Sequence, residues 1–148
     1  MLGGMTGMDP RIHFLTLATA DLDAARRFYV DGLGWRPLLD VPGEILFFQV
    51  AHGLVLGLFD SAAFAEDLGL PGAPAPAGLT LSHNVPDEAA VDATVAALAG
   101  AGGTVVTPPR AAAFGGYHGH VADPNGVVWE IAHNPGWSID ELGQVRLS

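Results

Sequence analysis

A chain of 148 residues, 49% hydrophobic and 15% charged, is long enough for one domain with its own core and too short for two large ones. Its formal net charge of −10, with only six cationic side chains, all of them arginine, leaves no basic face for nucleic acid or an anionic membrane. It contains no cysteine, which removes disulfides, thiolate metal sites and cysteine nucleophiles together. A neutral or cationic small molecule fits these numbers better as a partner.

Residues 1–10, MLGGMTGMDP, have no periodicity and neither the basic nor the apolar region of a signal peptide. They are expected to be a flexible N-terminus, and with no apolar run of membrane-span length the protein is expected to be cytoplasmic. RIHFLTLATA, residues 11–20, alternates as a strand. ADLDAARRFYVDGLG follows as a helix with an acidic start at Asp21 and Asp23 and glycine near its end. Leu22, Ala25, Phe28 and Tyr29 share one face of that helix, the spacing of a core stripe. WRPLLDV, EILFFQVA and GLVLGLFD read as three strands, with hairpin turns at Pro42-Gly43 and His52-Gly53.

Residues 70–77 are too rich in proline and glycine to continue any element and read as a linker. The order then restarts. GLTLSHNV is a strand, PDEAAVDATVAALAGAG a helix opened by proline and acids and stopped by glycine, and GTVVTPP a strand. YHGHVAD, the turn Asp123-Pro124-Asn125-Gly126 and VVWEIAHN complete the second half. Residues 11–69 and 78–135 thus each read βαβββ, the mark of an internal repeat. The tail, residues 136–148, carries no motif, and Trp137 is its one expected anchor. Within VVWEIA stands Glu130, a carboxylate in an otherwise apolar strand.

TLATADLDAARRFYVDGLGW and DPNGVVWEIAHNP, the latter preceded by GGYHGH, occur once each and in that order. Together they resemble the opening and closing signatures of the vicinal oxygen chelate superfamily, which includes glyoxalase I, bleomycin-resistance proteins and extradiol dioxygenases. The resemblance spans residues 11–135 as a single domain. It implies an α+β fold of two βαβββ modules, each a curled, mostly antiparallel half-barrel with one outer helix, and commonly a homodimer. It also places metal ligands at equivalent strand positions of the two modules. Here those positions fall on Phe14, near Gly57, near Leu79 and on Glu130. Only Glu130 can coordinate. His13 adjoins the first position, but reaches the same face only through a bulge.

Strand alternation turns Glu130 into the cavity with Val128 and Ala132, and Trp129 and Ile131 away from it. His83 shares Leu79's face, and His118 and His120 share one face of their own strand. The leading expectation is metal-independent binding of a small, largely apolar or cationic molecule, without a cofactor. Its cavity would be lined by Phe14, Phe48, Leu79, His83, Phe114, Tyr117, His118, His120 and Glu130. A glutamate there, free of metal and surrounded by apolar groups, would have a raised pKa and could serve as a general base. The alternative is a divalent-metal-dependent, glyoxalase I-like lyase or a dioxygenase, with Glu130, His83 and His120 as ligands. A third reading is a module without ligand, in which Glu130 pairs with an arginine such as Arg110. The resemblance leaves open whether any bond is made or broken, since this scaffold carries lyases, oxygenases and pure binders.

Overall fold

A computed structural model describes residues 7–113 and 115–148. Most of the expected flexible start, and Phe114, which was expected to line the cavity, lie outside the described residues.

The chain forms β1 (Phe14–Thr19), α1 (Leu22–Arg26), β2 (Leu39–Val41), β3 (Ile45–Ala51), β4 (Leu54–Asp60) and α2 (Ser61–Leu68). After the linker come β5 (Leu81–Asn84), α3 (Glu88–Gly100), β6 (Thr104–Ala111), β7 (Tyr117–Ala122) and β8 (Val128–His133). Asp21 caps α1 by accepting from the Ala24 N–H, and Asp87 caps α3 by accepting from the Ala90 N–H, which satisfies backbone donors that a helix start leaves unpaired. α1 runs on into a π-helical turn, Arg27–Gly32. α2 is an addition to the predicted set: Asp60 caps it through the Ala63 N–H, and Gly69 ends it in the left-handed region at φ 69°.

The two sheets have the same plan. Their strand orders are β1-β4-β3-β2 and β5-β8-β7-β6; in each the first pair is parallel and the other two are antiparallel. Neither sheet closes into a barrel. Leu17, Leu46, Phe48, Leu56 and Leu58 of the first sheet and Val121 and Ile131 of the second belong to one buried cluster with Phe28, Tyr29, Val91, Val95 and Leu98 of the helical segments. The halves therefore share a core.

The two signature stretches meet in this core. Tyr29 donates its hydroxyl hydrogen to Asp123 Oδ2 at 2.7 Å and accepts from Trp129 Nε1 at 3.0 Å. Asp123 Oδ1 accepts from the N–H groups of Asn125 and Val127, closing the DPNG turn. Asn125 in turn bonds the backbone N–H and C=O of Asp21, the α1 cap. Burial, and then the Asp123 charge, push the Tyr29 phenol far above its ordinary pKa, so it remains a donor.

Gly32 marks a second meeting point: a Cβ there would lie 2.5 Å from Ala101 Cβ and 2.9 Å from Ala101 Cα. Gly32→Ala should therefore destabilise the fold by about 1–3 kcal/mol, because backbone must move. Gly100→Ala, whose Cβ meets nothing within 4 Å, should be neutral or slightly stabilising. Urea unfolding midpoints of the two variants check the contrast, and equal midpoints would count against the contact.

Beyond β8 the tail forms a hairpin, β9 (Ser138–Ile139) and β10 (Val145–Arg146). Asp140 holds its turn by accepting from the Leu142 and Gln144 N–H groups and from Arg146 Nε.

Candidate functional site

Glu130 sits mid-way along β8, paired with Ser82 of β5 on one side and with His120 of β7 on the other. Trp129 and Ile131 pack against the core, so alternation leaves Glu130 on the open face of the second sheet, away from the helix. Residues paired across a ladder share a face, and Ser82 and His120 therefore join it there. Ser82 donates its hydroxyl hydrogen to Glu130 Oε1 at 2.7 Å, and His118 Nδ1 lies 2.8 Å from Oε2. His120 Nε2 is 3.7 Å from the same Oε2, beyond hydrogen-bond reach. Its other nitrogen, Nδ1, is buried with no hydrogen-bond partner among the described residues.

The three side chains are 15%, 20% and 23% exposed for His118, His120 and Glu130. Burial by itself pushes the Glu130 carboxyl up. The Ser82 and His118 hydrogen bonds and the charges of both histidines outweigh it and hold the group below the usual carboxylate value. The expected raised pKa is thus reversed, because Glu130 has polar neighbours on both sides. Glu130 is consequently an ionised acceptor rather than a base poised near neutrality. Arg110 is not among its partners: within the described residues Glu130 bonds Ser82 and His118.

An open cavity of about 320 Å³ adjoins the carboxylate, lined by Gly115, Gly116, Glu130, Asn134, Pro135 and Trp137. Trp137 is 47% exposed and stands where the tail turns after β8, its backbone N–H donating to the Asn134 carbonyl.

Of the residues expected around a cavity, His118, His120 and Glu130 come together. Phe14 lies on the open face of the first sheet, 52% exposed, with its ring 5.4 Å from Phe47. Phe48 is 1% exposed and faces the core, since adjacent strand residues take opposite faces. Tyr117 packs on the helix side and donates to Asp92 of α3. Leu79 precedes β5 and is 36% exposed. His83 pairs with Ile131, one residue out of step with Glu130, so it stands on the opposite face, exposed. This separates it from the carboxylate it was expected to join. Ser82 and Trp137 enter instead, and on the first sheet Phe47 rather than Phe48 takes the open face beside Phe14. Ser82 and Phe47 are the strand neighbours of His83 and Phe48, and only the pairing register distinguishes each pair.

The family model of the Glyoxalase/Bleomycin resistance protein/Dioxygenase superfamily matches residues 11–131. The chain belongs to this superfamily. It is similar to the solved structure of a glyoxalase-related enzyme from Fulvimarina pelagi, with 39% identity and a TM-score of 0.85 over 93% of this chain and 97% of that one. A glyoxalase/bleomycin resistance protein/dioxygenase from Nocardioides is 27% identical, with a TM-score of 0.71 over 88% and 87% of the two chains. A lactoylglutathione lyase from Agrobacterium tumefaciens is 26% identical, with a TM-score of 0.66 over 85% and 95%. No curated protein matches the chain.

The superfamily's metal positions do not fit an ion in this member. Phe14 offers only a ring, and Leu79 lies outside the strand. Gly57 has no side chain, and a Cβ there would already lie 3.2 Å from the Phe47 ring. Of that set Glu130 alone can ligate.

Proposed function

We propose that this superfamily member binds a small, largely apolar or cationic molecule in the cavity beside Glu130, and that this binding needs no metal. One observation carries the reading: an ionised, part-buried carboxylate borders an open cavity that Trp137 also lines. A positive or N–H-bearing end of the ligand meets Glu130, and its apolar body lies against Trp137, where a cation also gains from the ring face. The protein's negative charge favours such a ligand at long range. Phe14 and Phe47 leave an apolar patch on the open face of the first sheet, and its cover in this reading is a second copy, giving a homodimer. No helix among the described residues is long and apolar enough to cross a membrane; a cytoplasmic location and the absence of nucleic-acid partners belong to the same proposal.

The test is a thermal-shift screen of small apolar amines and aromatics in EDTA, with calorimetric titration of any hit. A hit is expected to bind without metal, and Glu130→Gln to weaken it about tenfold, the effect of losing one charge-assisted contact of about 1.4 kcal/mol. A screen in which nothing raises the melting temperature, or a hit bound equally well by Glu130→Gln, overturns the proposal.

A further inference from the structure

We infer that His118, His120 and Glu130 together hold one divalent transition-metal ion, displaced from the positions that the superfamily's ligand strands would supply. Their ligand atoms all lie within 4.8 Å of one another. A four-coordinate ion about 2.1 Å from each donor would set those donors roughly 3.4 Å apart, so side-chain adjustments close the set without moving the strands. Two strands fix the geometry. His120 faces Glu130 directly across the β7–β8 ladder, and His118 stands two residues along the same face.

Each donor has the features of a ligand. Glu130 is already oriented through its other oxygen by Ser82, the kind of outer hydrogen bond that fixes ligating carboxylates. His118 directs Nδ1 at Oε2 at 2.8 Å, so an ion would replace the proton those two atoms share. His120 has one nitrogen near Oε2 without a hydrogen bond and the other buried without a partner. Such a ring is not explained by hydrogen bonding within the described residues. An ion on Nε2 would give that nitrogen a partner, while Nδ1 would keep none among the described residues.

The donor set selects the class of ion. Two imidazoles and one carboxylate suit first-row transition ions such as Co2+, Ni2+, Zn2+ or Fe2+, with positions left open, whereas Mg2+ and Ca2+ prefer all-oxygen sites. Only the consequence for ligands rests on the proposed function. In the metal-free protein the anchor is a negative carboxylate. With the ion in place, and with exposed Arg110 paired to His118 across β6–β7, the sign of the site reverses. The loaded protein then favours an oxygen donor over a cationic ligand.

The experiment titrates EDTA-stripped full chain with Co2+, followed by visible absorption, and with Zn2+, Ni2+, Mg2+ and Ca2+ by calorimetry, with no organic ligand present. One Co2+ per chain with the bands of a nitrogen–oxygen site, and no heat from Mg2+ or Ca2+, is expected. His120→Ala and Glu130→Gln should weaken the ion about a hundredfold and Ser82→Ala about tenfold, whereas His83→Asn, on the opposite face, should leave it unchanged. Should the variants not fold, the wild-type protein still decides: in histidine-ring NMR, Co2+ should shift His118 and His120 and leave His13, His52, His83 and His133 in place. No saturable ion, shifts at other histidines, or an affinity indifferent to His120→Ala overturns the inference. Because this titration contains no organic ligand and the screen for the proposed function contains EDTA, failure of either is read separately.

Discussion

Asp123→Ala is expected to lower the free energy of unfolding by about 3–5 kcal/mol, near the top of the range for single substitutions. The side chain is 5% exposed and accepts three hydrogen bonds, from the Asn125 and Val127 N–H groups and from the Tyr29 hydroxyl. Removing it deprives all three donors of their acceptor in or beside the core, and each unsatisfied buried donor costs about 1–3 kcal/mol. The loss also frees the turn from which Asn125 reaches Asp21 at the start of α1, so both halves feel it. For a chain of this length the melting temperature should fall by roughly 10–15 °C. Tyr29→Phe removes one hydroxyl and leaves Asp123 its two backbone donors, so it should cost less, about 1–3 kcal/mol. Urea unfolding of both single variants and the double variant checks the network: the double variant should lose less than the sum of the two, because the residues share one bond. An Asp123→Ala variant more stable than Tyr29→Phe would show that the turn, rather than Asp123, anchors the halves.

Phe48→Ala should cost about 3–5 kcal/mol, the usual range for emptying a buried aromatic position. Its ring is 1% exposed, with centroids 5.6 Å from Tyr29 and 5.3 Å from Trp35, so truncation leaves a void beside the junction of the two halves. Phe14→Ala, at a side chain already 52% exposed, should change stability by less than about 1 kcal/mol. Chemical unfolding measures the first effect. Titration of a ligand found in EDTA should show no specific loss for Phe48→Ala under conditions where the variant remains folded. A Phe48→Ala protein of undiminished stability that binds ligand poorly would put this ring in the cavity and reverse the assignment of faces in β3.

Much of the fold was legible because its signals are local. Asp21 and Asp87 announce the helix starts, the DPNG turn announces β8, and the restart of the βαβββ order after the linker announces the second half. Alternation within VVWEIA was enough to set Trp129 and Ile131 against Glu130, since a strand's period of two needs no partner to be read. Other local signals are of the same kind. Asp60 and Gly69 bracket α2 as cap and stop, and the same alternation that turns His118 to the open face turns Tyr117 away from it.

The site itself needed the pairing of distant strands. Leu81–Asn84 shows no hint in its own residues that Ser82 rather than His83 lies beside Glu130. The β5–β8 register decides it, and a slip of one residue would exchange the two faces. The same holds for Phe47 and Phe48 on β3. The direction of the Glu130 pKa followed from those neighbours, and Trp137 reached the cavity only through the turn of the tail after β8. The chain's own pattern thus determined the elements, their order, the family likeness and the opposition of Glu130 to Trp129 and Ile131, all set within a few residues of sequence. Which side chains surround that carboxylate was decided by the tertiary structure, because contacts across a sheet depend on long-range register that no local pattern encodes.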